Sequence, residues 1–261
     1  MADDTGIIAA RAFVEARRTG RAIADYPGVR PHDLAQAYRV QDAAIKLWQR
    51  EIGGWKVGRI NPPEDRLLGA SRLAGPIFAD TIVDGTGAEP ALPVFADGFA
   101  AGEAEFLLRL RVPEGGKRPR GDAETLAWID QVRIGIEIAS SPYAGINADG
   151  ACVTASDQGN NAGLVLGVTV ARERWVDLDA IEVETRIGDR MVGRATAATM
   201  LDGPLGAVRF LLDNLSGRGI EPRSGWWISS GAVTGVHPVR PGDRLSARFE
   251  GIGEVACTIA R

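Results

Sequence analysis

The chain has few of the residues on which soft-metal and redox chemistry depends. Its 261 residues include only two cysteines and two histidines. Cys152 and Cys257 make neither a disulfide framework nor a zinc pattern. His32 and His237 have no ligand spacing to a cysteine or to each other. The net charge is −4 and no Lys/Arg cluster forms a stripe, so nucleic acid is not an expected partner. No apolar run approaches the roughly 20 residues needed to cross a bilayer. The opening "MADDTGIIAA" lacks the basic region and long apolar run of a signal peptide. A cytoplasmic protein without membrane attachment is therefore expected. A P-loop, a G-x-G-x-x-G after a strand, a G-x-S-x-G elbow and an H-E-x-x-H pair are all missing, which removes support from nucleotide hydrolysis, dinucleotide redox and serine-hydrolase chemistry.

What is present is an ordinary globular balance, 45% apolar and 25% charged, enough for a sizeable core. The first part reads as helical. "TGIIAARAFVEARRTG" has apolar residues at helical spacing and ends at Gly20. "HDLAQAYRVQDAAIKLWQREIGG" follows, with Leu34, Tyr38, Gln41, Ile45 and Trp48 along one stripe and Gly53-Gly54 as its stop. Beyond Gly54, short β-prone runs alternate with turns drawn from 33 glycines and 14 prolines, as in a curled or two-layer sheet. Two helices interrupt, one capped by Asp122 over "AETLAWIDQV" and one opened by Pro204 and closed at Gly217. The expected fold class is α+β, with a helical segment over residues 1–54 packed on a β-rich body over residues 55–261.

"GEAEFLLRL", residues 102–110, turns Glu103, Glu105, Leu107 and Arg109 to one strand face and Ala104, Phe106, Leu108 and Leu110 to the other. The second face is core. Taken singly, the first is more often a wet face. A second strand candidate, "RIGIEIASSP", carries Glu137 as its only acid, with Gly135 on the same face leaving room for something to approach the sheet. If the two strands are neighbours, three carboxylates converge, and they cannot all stay ionised in a partly dry pocket without a cation. Carboxylate-only ligation selects a hard ion, Mg²⁺ or Mn²⁺.

In "GGWKVGRINPP", Lys56 either snorkels from an edge strand or faces a metal-bound substrate, supplying charge or moving a proton. Asp80 in "GPIFADTIVDG" is a turn residue or a weak further candidate. "SDQGNNAGLVLG", residues 156–167, is a plain polar loop or a set of amides, Gln158 and Asn160 among them, for a polar substrate.

Together and in order, "AYRVQ", "GWKVG", "GPIFAD", "EAEF", "GIEIA" and "SDQGNNAGLVLG" resemble the 2-oxopent-4-enoate hydratase and 4-oxalocrotonate decarboxylase group of the fumarylacetoacetate hydrolase superfamily. The resemblance implies a mixed β-roll or sandwich of that superfamily's C-terminal type. It implies a divalent metal on Glu103, Glu105 and Glu137, with Lys56 and Asp80 as the catalytic pair. The implied activity is metal-dependent hydration of 2-hydroxy-2,4-dienoates in aromatic catabolism, with Gln158 and Asn160 orienting the substrate. Two departures bear on the substrate: Asn160 stands where the resemblance leads one to expect a serine, and Arg59-Ile60 replaces a small or apolar residue followed by a hydroxyl. Arg59 would suit a second substrate carboxylate, so decarboxylation of a 2-oxo-3-enedioate is the nearest alternative. An acylpyruvate hydrolase, for which His32 and Asp33 are a poor match to the usual His–Glu pair, and a non-catalytic partner subunit stand behind it. A homo-oligomer, or a complex with a paralogous subunit, is expected by resemblance alone.

Overall fold

The computed structural model describes residues 4–261. The reading of the extreme N-terminus falls partly on residues 1–3, outside the described residues. Among the described residues, six α-helices run over Asp4–Thr19 (α1), Leu34–Trp48 (α2), Glu64–Leu68 (α3), Asp122–Leu126 (α4), Ala151–Ser156 (α5) and Gly203–Gly217 (α6). The strands are Ile52–Arg59 (β1), Arg72–Phe78 (β2), Ile82–Asp84 (β3), Ala91–Pro93 (β4), Phe99–Leu110 (β5), Ile129–Ser141 (β6), Asn161–Thr169 (β7), Glu182–Ile187 (β8), Arg190–Thr196 (β9), Trp227–Ser229 (β10), His237–Pro238 (β11), Arg244–Phe249 (β12) and Gly253–Ala260 (β13). They form two mixed sheets. The larger has the order β2-β1-β10-β5-β6-β7-β3 with β11 also on β5, and the smaller is β4-β13-β12-β8-β9. No helix among the described residues is long and apolar enough to cross a membrane.

The main core lies between the sheets, where the strand parity put it. Phe106 and Leu108 of β5 and Ile134 and Ile136 of β6 meet Leu245, Phe249 and Val255 from β12 and β13. The Phe106 and Phe249 rings meet edge to face with centroids 5.1 Å apart. Burying one such side chain contributes roughly 1.5–3 kcal/mol. The apolar face of α6, opened by Pro204, closes one end of this core.

Helices α1 and α2 do not stand apart. Phe13, Val40 and Trp48 share a cluster with Phe78, Tyr143 and Val153 of the β-rich body. Gln41, the polar member of the α2 stripe, is fully buried and ties the helix to two other elements. Its Nε2 donates to the carbonyls of Ala74 (2.9 Å) and Ala155 (2.7 Å).

Three local expectations are corrected. Helix α2 stops at Gln49, whose left-handed φ of 55° ends it, while Gly53-Gly54 lies inside β1. A Cβ on Gly54 would fall 2.2 Å from the Trp227 carbonyl oxygen, so that glycine permits strand packing. After the five-residue α4, whose first residue is Asp122, the segment from Ile129 onward enters β6 instead of continuing a helix. The room expected at Gly135 is taken by Leu107, whose Cδ1 lies 2.1 Å from where a Cβ would sit.

Candidate metal centre

Strands β5 and β6 form a long antiparallel pair whose register sets Glu103 directly opposite Glu137, with Glu105 opposite Gly135. Side chains that share a face at alternate positions then converge with their cross-strand neighbour. One carboxylate oxygen from each of Glu103, Glu105 and Glu137 lies within 4.8 Å of the other two. Glu105 and Glu137 are fully buried, and Glu103 is 5% exposed. The face that is most often wet is here dry.

Two of the three carboxylates are each tied down through one oxygen. Glu105 Oε2 accepts from Ser229 Oγ at 2.5 Å and from the Gly231 amide at 2.8 Å. Glu137 Oε1 accepts from Asn161 Nδ2 at 2.9 Å and lies 3.5 Å from Lys56 Nζ. The other oxygens, Glu105 Oε1 and Glu137 Oε2, are buried and have no partner. Orphaned anionic oxygens in a dry site cost free energy unless something else meets them. A single lysine ammonium cannot neutralise three carboxylates, and an all-oxygen donor set fits a hard divalent cation. The residues present therefore fit a hard divalent cation.

The electrostatics follow from burial. Desolvation pushes the Glu103 carboxyl up to about 7, against the pull of the Lys56 ammonium and with help from Glu137. Desolvation also raises Glu105, and the Glu137 and Glu103 carboxylates push it further. Burial alone would lower the Lys56 ammonium, but Glu137, Glu103 and Glu105 together outweigh it and hold it above its ordinary range.

Lys56 is 4% exposed and sits on β1 between Gly75 of β2 and Ser229 of β10. It does not snorkel. Its Nζ donates to Asn160 Oδ1 at 3.3 Å, and Asn160 Nδ2 donates to Asn147 Oδ1 at 2.9 Å. Asn160 belongs to a tight turn in which Gln158, Gly159 and Asn160 all have left-handed φ, 57°, 61° and 59°. Such a turn needs outside support, and Arg17 of α1 provides it. The Arg17 guanidinium donates to both Asp157 carboxylate oxygens (2.7 and 2.8 Å), to the Asn161 carbonyl (3.0 Å) and to the Ser140 carbonyl (3.1 Å).

Lys56, Glu103 and Asn160 line a cavity of about 470 Å³. Its apolar walls include Ile60, Leu73, Met200 and Val233, with Arg59 and Arg72 also on the lining. Arg72 is neutralised by Asp202 at 2.5 Å. Arg59 forms no ion pair among the described residues, and its Nη1 reaches only the Thr199 carbonyl at 3.5 Å.

Two expected site residues lie elsewhere. Asp80 is on a 3₁₀ turn after β2, with its side chain 62% exposed and paired with Arg50, and it does not line the cavity. Gln158 is buried but lines a separate cavity of about 390 Å³ beside Arg17 and Asn161. The His32-Asp33 pair is spent on helix α2, where Asp33 Oδ1 accepts from the Gln36 amide at 2.7 Å and caps the first turn. The residues that sequence reading missed are Ser229, Ser230, Gly231, Asn147 and Arg17. A pair of hydroxyls inside the bulky run "WWISSGAV" was the available signal for the serines. Arg17 left none, being 140 residues from its partner.

No protein-family model matches the chain. A 4-oxalocrotonate decarboxylase of Pseudomonas putida is 29% identical over 155 residues, 59% of this chain and 58% of that protein. A 2-keto-4-pentenoate hydratase of Paraburkholderia xenovorans (strain LB400) is 26% identical over 252 residues, 95% of this chain and 92% of the relative. In fold, the chain is similar to the solved 4-oxalocrotonate decarboxylase from Pseudomonas putida G7 complexed with magnesium and adipate. The TM-score is 0.81 at 22% identity, over 98% of this chain and 97% of that one. With the ordered motifs and the α+β architecture of two curled sheets, these likenesses agree: the chain is similar in sequence to 2-keto-4-pentenoate hydratases and 4-oxalocrotonate decarboxylases and shares the fold of the solved decarboxylase.

Proposed function

We propose that the chain is a divalent-metal-dependent hydro-lyase that hydrates 2-hydroxy-2,4-dienoates to 4-hydroxy-2-oxoacids in the breakdown of aromatic ring-cleavage products. The observation that carries this reading is the buried triad Glu103, Glu105 and Glu137, with two unpartnered oxygens, beside a cavity that also holds a buried ammonium. The triad would hold Mg²⁺ or Mn²⁺, and the bound ion would supply Lewis-acid charge for the negative charge that develops on the substrate's 2-oxygen.

The chain's own residues do the rest. Lys56, kept as an ammonium by the carboxylates around it, keeps its proton at Nζ and donates a hydrogen bond to the substrate's 2-oxygen, supporting the negative charge there as the 2-hydroxyl proton passes to water and the dienoate carbon chain takes a proton from water. Asn160 fixes the direction of Nζ and is itself fixed by Asn147, so this donor is positioned before substrate arrives. Ile60, Leu73, Met200 and Val233 line the substrate's carbon chain and leave room for the one water that adds at C4. Asp80 and Gln158 stand off this cavity and have no role in the assignment. A cytoplasmic location and a homo-oligomer, alone or with a paralogous subunit, belong to the same reading.

The substitution Glu105→Gln keeps the shape of the side chain and removes one charge. It should abolish Mn²⁺ binding and metal-dependent turnover together; an active, metal-free variant would end the proposal. A second reading, decarboxylation of a 2-oxo-3-enedioate, is favoured by the unpaired Arg59 guanidinium on the cavity lining. Measuring kcat/KM for a mono- and a dicarboxylate substrate side by side separates the two.

A further inference from the structure

Strand β10 ends in Ser229, and the chain then runs through Ser230 and Gly231 along the rim of the metal centre. The neighbours on either side have evident tasks, since Ser229 Oγ and the Gly231 amide both donate to Glu105 Oε2. Ser230 differs. Its own amide is spent on the Phe106 carbonyl at 3.2 Å, which pins the backbone. Its side chain is buried, at 2% exposure, and its Oγ has no hydrogen-bond partner among the described residues. Ser230 nevertheless lines the same cavity as Lys56, Glu103 and Asn160.

Leaving a buried hydroxyl unpaired costs free energy, and an alanine would fill nearly the same space without that cost. The other unpartnered buried atoms have different surroundings. Glu105 Oε1 and Glu137 Oε2 belong to the carboxylate triad, and the remainder are ring or guanidinium nitrogens of Trp48, Arg50, Trp55, Arg133 and Arg218, none of which lines this cavity. Among the described residues, Ser230 is thus the one residue on the cavity wall whose neutral side-chain donor is buried and without a partner. Its sequence neighbour Gly231 holds Glu105, so its partner belongs to the end of the ligand nearest the carboxylate triad. We propose that Ser230 is a substrate-binding residue, its hydroxyl donating a hydrogen bond to an oxygen at the carboxylate end of a 2-oxo or 2-hydroxy acid.

This assignment rests on the proposed function for the chemistry of the ligand, and the test keeps the two apart. Oxalate serves as an unreactive probe with the same pair of adjacent oxygen-bearing carbons. Calorimetry on wild type, Ser230→Ala and Ser229→Ala gives the affinity for Mn²⁺ alone and then for oxalate on the Mn²⁺-loaded protein, and thermal melts are recorded without metal. Ser230→Ala should melt at the same temperature as wild type or higher, because an unsatisfied hydroxyl has gone. It should bind Mn²⁺ unchanged and oxalate about 10- to 100-fold more weakly, the loss of a hydrogen bond to a charged group. Ser229→Ala should instead weaken Mn²⁺ itself, through Glu105.

Unchanged oxalate affinity in Ser230→Ala overturns the assignment and leaves the proposed function standing. So does a Mn²⁺ affinity that falls by the same factor, which would mean the residue acts through Gly231 on Glu105. A clearly lower melting temperature overturns it as well, because the hydroxyl would then be satisfied in the free protein. A wild type that binds Mn²⁺ and no oxalate overturns both the assignment and the reading on which it rests.

Discussion

Replacing Arg17 by methionine tests whether an N-terminal helix holds the metal centre from behind. The guanidinium is 7% exposed, and its carboxylate partner Asp157 is completely buried. Without Arg17, Asp157 keeps one donor, Ser141 Oγ at 2.7 Å, and the carbonyls of Ser140 and Asn161 lose theirs. Breaking a buried pair from one side costs about 3–5 kcal/mol, because the remaining charge stays desolvated. For a chain of this length that is a fall in Tm of about 6–20 °C, still short of the ~5–15 kcal/mol that a folded domain commonly has in hand. Urea unfolding of Arg17→Met, Asp157→Asn and the double variant closes a thermodynamic cycle. Neutralising Asp157 removes the reason for the penalty, so the double variant should be more stable than the sum of the singles predicts, by about 2–3 kcal/mol. Additivity within about 0.5 kcal/mol would show that the two groups do not share one interaction and would refute the argument. A second consequence separates this clamp from ordinary packing. The turn it supports carries Asn161 to Glu137, so Arg17→Met should also weaken Mn²⁺ binding, whereas a destabilising change in the α1 core such as Phe13→Leu should not.

Two further outcomes follow from the charges in the centre. With metal absent, Glu103 titrates at about 7, above the ordinary value of 4.5 that an unfolded chain shows, and Glu105 is raised as well. The native state then binds more protons than the unfolded state between those values, so this site makes the metal-free protein less stable as pH rises from about 4.5 to about 7. Mn²⁺ displaces the protons, its affinity should rise over the same window, and calorimetry in two buffers of different ionisation enthalpy should register proton release on binding at pH 6. Equal heats in both buffers would contradict the raised carboxyl groups. Lys56→Met removes the only ammonium among three carboxylates. Turnover should fall about 10²–10⁴-fold while Mn²⁺ still binds, and a variant that retains full activity would remove Lys56 from the mechanism.

The parity of "GEAEFLLRL" was legible because a strand has a period of two and no tertiary contact can change it; Ala104, Phe106 and Leu108 went to the core as expected. Convergence of Glu103 and Glu105 with Glu137 was only conditional at that level, since it depends on which strands are neighbours and in what register, and a slip of one residue would have sent Glu137 to the opposite face. Gly53-Gly54 misled because two glycines after a helical run usually end it; here Gly54 allows the close approach of β10, a contact more than 170 positions away, and Gly53 that of Ala79 and Ile82. Asp80 misled differently. A carboxylate after an apolar pair has the same local pattern whether it turns inward to a cavity or outward to solvent, and here it turns outward, where it pairs with Arg50. Arg17 and Ser230 define the limit from the other side. Nothing in their own neighbourhoods distinguishes a clamp from a surface charge, or a ligand donor from a small core residue. Their significance comes from partners that only the fold supplies: Asp157 in one case, and in the other the absence of any partner at a position where the cavity provides one.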